Sequence, residues 1–563
     1  MKWINCKPIF IGLSVVLLIT LPVMGQEHQK KEQKARFIEG QHDPVVQPAF
    51  WWSNSRTLLI GVGDSLTQGT RDATNNKINT ENAYLQLVYN KLKKVKPLKF
   101  SQPFLNEDGN RLKPFTIPTN LGVDGEDIFS VEGIEYAPRD GDADENYVTD
   151  EYLCNRLQPY FFADMHDKVL YPINLWAGQP VSQFDALIWR LNNRWRKPAW
   201  VIFWIGNNDA ALASLGLGGK NPEYLPIPFR KIEHKLKPGV RWLLNFGEYH
   251  GVLSFAPYTS SIIQNSLTTP DDFQAQFNHL QNRLKDEANL NDVEFFLLTF
   301  PHYPEVGYLM DAGDLVTYLN KANPAYPDSL SLDGRVSLLT FMCMYALLKS
   351  ESTVEEVNEI LDDGSLVLSD TERTSIEGRI DEFNDIVTAA GSDHVHIIDI
   401  GAELNGVFSG TNPLLVGYKG KTFNFTRNWG WGHAFSFDGV HAGYTAHAFI
   451  ANKILIDMLG LENDPRVGPY DLSKFLVDDP YVDWDGDGWV EGPDYKASGR
   501  TKILFLFKDY QEGVPGDAVI DTMSATALWE LISDALLEEV ISIPLLKLQA
   551  ERMGLVPIKE INQ

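Results

Sequence analysis

Residues 57–66 of this chain read Thr57-Leu-Leu-Ile-Gly-Val-Gly-Asp-Ser-Leu66 and give the first indication of its fold class. Residues 57–62 form a short apolar run that ends at Gly63, which is typical of a β-strand buried on both faces. The polar pair Asp64-Ser65 follows directly. A serine at the exit of a parallel strand lies at the carboxyl edge of the sheet, where ligand crevices form in open α/β folds. The alternative is purely structural, because such a serine can also be the N-cap of the next helix.

The same pattern recurs along the chain, with buried strands predicted at residues 199–205, 293–300 and 395–400. Each of these runs follows a helical stripe of apolar side chains. The stripes are Phe184, Leu187, Ile188, Leu191 and Trp195, then Phe273, Phe277, Leu280 and Leu284, then Ile376, Ile380, Phe383 and Val387. Alternating strands and helices predict an α/β three-layer sandwich, with a parallel sheet covered by helices on both faces.

Two regions interrupt this alternation. Residues 302–374 are rich in helical signals, including Thr353 and Glu356 at the spacing of a capping box. They are predicted to be a helical insertion, either a cap over the site or a plain decoration. The second region, 461–563, holds an Asp-rich loop and an amphipathic stretch at 525–552 whose charges exclude a membrane span.

Composition limits the possible classes of protein. The chain has 563 residues, of which 44% are hydrophobic and 22% charged, so disorder, collagen and coiled coil are excluded. Asp and Glu number 75 against 49 Lys and Arg, which gives a net charge of −26. The basic residues form no long stripe, so no nucleic-acid partner is expected. A small-molecule or neutral polymeric substrate is favoured.

The N-terminus has the layout of a secretory signal peptide, predicted at residues 1–25 and followed by a polar linker at 26–50. Two lysines precede an apolar run, and Val23 and Gly25 occupy the −3 and −1 positions of a cleavage site. The protein is therefore expected to be secreted, periplasmic or extracellular, with an uncleaved membrane anchor as the alternative. After cleavage no stable membrane span is expected. The mature chain would keep Cys154 and Cys343, either as a disulfide or as two buried thiols.

Three further segments carry groups suited to catalysis. The segment Asn120-Leu-Gly-Val-Asp-Gly125 supplies a glycine whose backbone N–H can approach a reacting group closely. The segment Gly206-Asn207-Asn208-Asp209 follows a predicted strand and places a carboxamide at the same edge of the sheet. The segment Asp438-Gly-Val-His441 places a carboxylate three residues before an imidazole.

In this order the four segments resemble the blocks of the SGNH or GDSL hydrolases, a family of esterases and lipases with a flavodoxin-like sheet. The resemblance covers about residues 57–460, within a hydrolase domain expected at 51–460. It implies that Ser65 is the nucleophile, that His441 takes its proton, and that Asp438 holds His441. Thr67 stands where a G-x-S-x-G elbow needs its last glycine, so an α/β-hydrolase is the poorer match.

The resemblance also implies an oxyanion hole. Its donors would be the backbone N–H groups of Ser65 and Gly125 and the side-chain amide of Asn208. Gly122 competes with Gly125, but the family pattern Asn-x-Gly-x-x-Gly favours the later glycine. Asp64 is expected to fix a loop rather than to transfer protons, and no cofactor is expected for catalysis.

The C-terminal region contains a calcium-loop pattern at residues 483–494. An EF-hand loop supplies oxygen ligands from its first, third, fifth, seventh, ninth and last positions and has a glycine at the sixth. The matching residues are Asp483, Asp485, Asp487, the Trp489 carbonyl, Glu491 and Asp494, with Gly488 in place. The pattern resembles dockerin loops, although no second loop is found, so a structural calcium ion is expected and a protein partner stays undefined. The alternative is an acidic surface turn.

Together these features predict a secreted serine ester hydrolase that acts through an acyl-enzyme on Ser65. Its substrate is expected to be a lipid-like or short-chain acyl ester. One alternative is a carbohydrate acetyl esterase that acts on polysaccharide. A second alternative is a non-catalytic, calcium-dependent binding module on the same scaffold.

Overall fold

The structure is a computed structural model, and the part of the chain that it describes begins at Arg56 and ends at residue 557. Within that range it leaves out residues 108, 137–146, 156–163, 218–222, 351, 460–467, 486–489, 491, 494, 496–500, 505–519 and 521–522. The predicted leader at 1–25, the linker at 26–50 and the boundary between residues 460 and 461 therefore lie outside the described residues.

A five-stranded parallel sheet organises the described chain. Its strands in chain order are β1 (Thr57–Gly63), β2 (Leu98–Lys99), β3 (Ala199–Trp204), β4 (Val293–Leu298) and β5 (Val395–Ile398). In space they run β2-β1-β3-β4-β5, and every neighbouring pair is parallel. This is the strand order of flavodoxin-like folds. All residues of β1 and β3 are buried, so both faces of the sheet are covered and the predicted fold class is confirmed.

Helices fill the connections between the strands. The α-helices before β3 are Ser65–Gln68, Lys77–Glu81, Tyr84–Leu92, Met165–Leu170, Ile173–Ala177 and Gln183–Asn192. Those between β3 and β5 are Asn208–Leu215, Phe229–Ile232, Pro238–Tyr249, Ser260–Ser266, Pro270–Glu287, Ala312–Ala322, Leu338–Lys349, Val354–Asn358 and Asp370–Ala389. Those after β5 are Ile400–Ser409, Tyr444–Leu459, Leu472–Asp478, Thr501–Leu504, Ala525–Val540 and Pro544–Arg552. Short hairpin and edge strands lie at Ile134–Glu135, Tyr147–Val148, Glu223–Tyr224, Leu253–Ser254, Leu414–Tyr418 and Lys421–Phe425.

The predicted apolar stripes face the core, with one exception. Phe273 of one helix stacks on Phe383 of another with ring centroids 4.2 Å apart, so the two long helices pack together. The prediction is wrong at Trp195, because the helix ends at Asn192. Trp195 has a left-handed φ of +55°, which a helix cannot continue, and its side chain is 86% exposed.

The insertion between β4 and β5 is more than helical. Its helices are joined by a small antiparallel sheet of strands Leu309–Met310, Arg335–Ser337 and Val367–Leu368, which the sequence analysis did not predict. Every residue from Leu338 to Leu348 is buried, as expected for a helix that is apolar on all sides. The predicted capping box is confirmed, since the Thr353 hydroxyl accepts a hydrogen bond from the Glu356 N–H and the Glu356 carboxylate accepts one from the Thr353 N–H. The insertion is therefore built into the core.

The C-terminal helices pack on the rest of the chain. The predicted helical stretch at 525–552 consists of two helices, Ala525–Val540 and Pro544–Arg552. The Lys237 ammonium group lies 2.6 Å from the Asp534 carboxylate, and the Trp529 indole donates a hydrogen bond of 2.7 Å to the Ser350 hydroxyl. No helix in the described part of the chain is long and apolar enough to cross a membrane.

Of the two alternatives for the cysteines, the structure supports buried thiols. Cys154 and Cys343 are both buried and do not form a disulfide. Burial raises the pKa of both thiols well above the ordinary value, so they stay protonated and unreactive at neutral pH.

Candidate active site

Ser65 lies at the carboxyl end of β1, as the opening stretch predicts. The strand ends at Gly63, and a short helix begins at Ser65. The N-cap of this helix is Asp64, whose carboxylate accepts a hydrogen bond of 2.9 Å from the Leu66 N–H. The structural alternative for Ser65, a capping serine, is therefore not what the chain adopts. A Cβ atom at Gly63 would lie 2.1 Å from the Thr67 hydroxyl oxygen, so only glycine allows this tight exit from the strand.

The imidazole of His441 is held firmly by Asp438. Its Nδ1 lies 2.6 Å from Oδ2 of the Asp438 carboxylate. The other oxygen, Oδ1, accepts hydrogen bonds from the backbone N–H groups of Val440 (2.8 Å) and His441 (2.9 Å) and from the Ser436 hydroxyl (2.9 Å). Because Nδ1 donates to the carboxylate, Nε2 is the nitrogen left to exchange a proton with a substrate or nucleophile.

Ser65, Asn208 and His441 line one cavity of about 250 Å³, together with Asp124. Most of the other lining residues are apolar or aromatic and come from the helix Asn208–Leu215 and the residues just after it, the insertion and the last block. These side chains are Ala211, Leu212, Leu215, Leu217, Tyr303, Tyr308 and Val440. The cavity thus combines reactive polar groups with apolar side chains in its lining.

Of the predicted oxyanion donors, Ser65 and Asn208 line this cavity, whereas Gly125 follows the lining residue Asp124 in the chain and does not itself line the cavity. One amide hydrogen of Asn208 is donated to the Glu126 carbonyl at 2.8 Å, which fixes the carboxamide and leaves its second hydrogen available. Gly125 has a φ of +87°, and a Cβ atom there would meet nothing within 4 Å, so its backbone is open to a ligand. Gly122 is different, since its N–H already donates to the Asn120 carboxamide at 2.9 Å. This geometry favours Gly125 over Gly122 as the donor.

The strand-end loops are tied to one another by buried carboxylates. The Asn207 amide donates to Asp64 at 2.6 Å, which joins the first and third blocks. Asp209 accepts hydrogen bonds from the Ile128 N–H (2.9 Å) and the Thr268 hydroxyl (2.6 Å). Asp64 therefore fixes loops, as expected, and Asp209 does the same next to Asn208.

A buried pair that the sequence analysis missed supports the oxyanion loop. The carboxylate of Glu126 contacts Nε2 of His166, and both side chains are buried. Glu126 follows Gly125 directly, and its carbonyl holds Asn208. Burial works against a charged His166, but the adjacent carboxylate outweighs it and raises the pKa of the imidazole. The ion pair thereby anchors the residue that follows Gly125 and whose carbonyl accepts the Asn208 amide.

Three carboxylates set the charge around His441. Burial alone favours the neutral imidazole, but Asp438, followed by Asp124 and Asp64, raises the pKa of His441 to about 9. Burial would raise the pKa of Asp438, yet the contact with His441 holds it well below its ordinary value. Burial raises the pKa of Asp64 to about 7 and also raises that of Asp124. The contact with the imidazole thus favours the charged form of Asp438.

Residues 59–334 match the model of a family described as GDSL-like Lipase/Acylhydrolase. The match covers the blocks that contain Ser65, Gly125 and Asn208 and ends before Asp438. No curated protein matches the chain. The match, the parallel sheet and the cavity at its carboxyl edge support an ester hydrolase of the SGNH/GDSL type at the level of the family.

Most of the predicted calcium loop lies outside the described residues. Asp487, Trp489, Glu491 and Asp494 are not described, whereas Asp483 is half-buried and Asp485 is exposed. Across the residues that the structure does describe, no three His, Cys, Asp or Glu side chains are grouped so as to hold a metal ion. Calcium binding stays a prediction from the sequence.

Proposed function

We propose that this protein hydrolyses carboxylic esters through an acyl-enzyme on Ser65. The observation that carries the proposal is the cavity that Ser65, Asn208 and His441 share, with His441 held by Asp438 at 2.6 Å. A nucleophile, a base and an oxyanion donor at one cavity are the groups that acyl transfer requires.

In the proposed reaction, Oγ of Ser65 attacks the ester carbonyl while Nε2 of His441 takes its proton. The oxyanion that forms accepts hydrogen bonds from the N–H groups of Ser65 and Gly125 and from the Asn208 amide. The alcohol then leaves with the proton from His441, which leaves an acyl group on Ser65. In the second half of the reaction, water gives a proton to His441 and attacks the acyl group, and the serine leaves with that proton as the acid is released. Asp438 keeps its charge throughout and stabilises the imidazolium.

For the substrate, we propose an ester with a lipid-like or short acyl chain. The support is the apolar wall beside Ser65, which includes Leu212 and Leu215. A cavity of about 150 Å³ is known to hold benzene, so a cavity of about 250 Å³ has room for roughly ten carbon atoms. Acetyl groups on a polysaccharide would leave most of this wall uncovered, so we rank that alternative second.

The test is the chain-length profile of p-nitrophenyl esters. We expect kcat/KM to rise from acetyl to octanoyl, by up to about fourfold per buried methylene group. Leu212→Trp should fill the cavity and flatten the profile while it spares acetyl ester hydrolysis. Leu548→Trp is the matched control, because Leu548 lies 44% exposed on the last helix. A profile highest at acetyl would favour the glycan esterase, and no turnover at any length would favour a binding module.

We further propose secretion with loss of residues 1–25, and calcium binding at 483–494. The sequence patterns alone support both. N-terminal sequencing of the exported protein tests the first proposal, with Gln26 as the expected first residue. For calcium, the proposed ligands supply hard carboxylate and carbonyl oxygens, which suit that ion and would hold the loop together.

A further inference from the structure

The carboxylate of Asp438 is also held by a second set of hydrogen bonds, which come from the turn that contains Asp72 and Ala73. The Ala73 N–H donates at 3.2 Å to Oδ2 of Asp438, the same oxygen that contacts His441. The Asp72 N–H donates to the Ser436 hydroxyl at 3.3 Å, and that hydroxyl donates onward to Oδ1 of Asp438 at 2.9 Å. Both oxygens of Asp438 therefore depend on where this turn lies.

The turn has an unfavourable backbone. Asp72 and Ala73 have φ values of +52° and +51°, in the left-handed region that side chains with a Cβ atom avoid. Two such residues in succession persist only when the surrounding structure fixes them. The contacts that hold this turn therefore also set the position of the Ala73 N–H group.

Two tyrosines fix the turn through the side chain of Asp72. The hydroxyls of Tyr481 and Tyr495 donate to Oδ2 of Asp72 at 2.6 and 2.9 Å and lie 2.8 Å from each other. The other oxygen of Asp72 accepts the Asp438 N–H at 3.3 Å. Asp72 has no exposed surface, and both tyrosines are buried. Water thus has no access to this carboxylate, and the two tyrosine hydroxyls donate hydrogen bonds to it instead of water.

Both tyrosines come from the C-terminal region, which the family match does not include. The segment that carries them begins at Asp479, whose carboxylate accepts the Thr445 N–H at 2.8 Å and the Tyr481 N–H at 3.2 Å. Thr445 lies in the first turn of the helix that follows His441. The segment is thereby fastened to the same block that it supports through Asp72.

We propose that Asp72, Tyr481 and Tyr495 are positioning residues of the active site, through which the C-terminal region orients Asp438 toward His441. The inference rests on the proposed esterase function, because it assigns these residues to the same catalytic block. It makes the C-terminal region a required part of the active site rather than an appendage.

The electrostatic surroundings of Asp72 agree with this role. Burial, followed by the charge of Asp438, raises the pKa of Asp72 to about 7, and the hydroxyls of Tyr481 and Tyr495 act against the rise. The tyrosines thus favour the carboxylate, the form that can accept their two hydrogen bonds together with the one from the Asp438 N–H.

The experiment compares Tyr481→Phe, Tyr495→Phe and the double variant with Tyr326→Phe. Tyr326 is the matched control, because it is equally buried and donates one hydrogen bond of 2.8 Å to Asn358 in the insertion. The free energy of a hydrogen bond to a charged group corresponds to a factor of about ten or more when it is expressed as a rate ratio. We expect each active-site variant to lose about tenfold in kcat on p-nitrophenyl butyrate with KM unchanged, while the control keeps its kcat.

A second measurement does not depend on turnover. The proton between His441 and Asp438 should give a far-downfield ¹H resonance, which we expect to shift or broaden in the double variant and to stay in place in Tyr326→Phe. An unchanged kcat and an unchanged resonance in the double variant would overturn the inference. A shifted resonance in a protein without esterase activity would overturn the proposed function and leave the positioning role standing.

Discussion

Asn208→Ala removes the only side-chain donor of the proposed oxyanion hole. In the structure the Asn208 amide donates one hydrogen bond to the Glu126 carbonyl at 2.8 Å, and its second hydrogen is available to a ligand in the cavity. Loss of a single oxyanion donor costs roughly a hundredfold to a thousandfold in kcat, or about 2.7–4 kcal/mol of transition-state stabilisation. We expect kcat to fall by that factor with little change in KM, because the donor acts on charge that develops only in the transition state.

The same substitution also leaves the Glu126 carbonyl without a partner, at a cost to folding of about 1–3 kcal/mol. The control for this effect is Asn452→Ala. Asn452 also donates its amide to a backbone carbonyl, that of Tyr470 at 3.0 Å, and in addition accepts the Tyr470 N–H, but it lies outside the cavity. Steady-state kinetics on p-nitrophenyl esters and thermal unfolding separate the two effects. If Asn208→Ala kept kcat within about threefold of the wild type, the assignment of the oxyanion hole would be wrong.

The remaining predictions concern pH, backbone geometry and calcium. kcat/KM should rise with pH as His441 loses its proton, and the half-maximal point should lie above 6.5, the ordinary pKa of a histidine. Asp124→Asn should move that point to lower pH, because it removes one of the charges that raise the pKa of His441. The pH–rate profiles of the wild type and the variant test this. Gly125→Ala meets no clash, but the left-handed φ of +87° costs about 1–2 kcal/mol, so kcat/KM should fall by about tenfold while circular dichroism stays unchanged. EDTA should lower the unfolding temperature if residues 483–494 bind calcium, and an unchanged temperature after exhaustive chelation would count against the loop.

The sequence predicts that Ser65 and Asn208 lie at the ends of strands because each follows a run with a strong apolar signal. β1 and β3 are fully buried runs, and their carboxyl ends bring Ser65 and Asn208 to one edge of the sheet. The spacing of three between Asp438 and His441 lets one short turn join them. Periodicity cannot reveal β2, which is only two residues long and contains Lys99.

The supporting contacts escape the sequence analysis because they join distant positions. Tyr481 lies 409 residues from Asp72, and no local pattern links an isolated aspartate to a tyrosine so far away. The Glu126–His166 pair spans a separation of 40 residues in the same way. The sequence shows that Asp124 immediately precedes Gly125, but its effect on His441 depends on a cavity that only the folded chain forms.

Covalent labelling reports whether Ser65 is an activated nucleophile, independently of any choice of ester substrate. The purified protein is treated with a fluorophosphonate, and the site and extent of modification are read by mass spectrometry of the intact chain and its peptides. We predict one label per chain on Ser65, none on Ser65→Ala, and markedly slower labelling of His441→Ala. Absence of labelling in the wild type, or equal labelling of Ser65→Ala, would show that Ser65 is not an activated nucleophile.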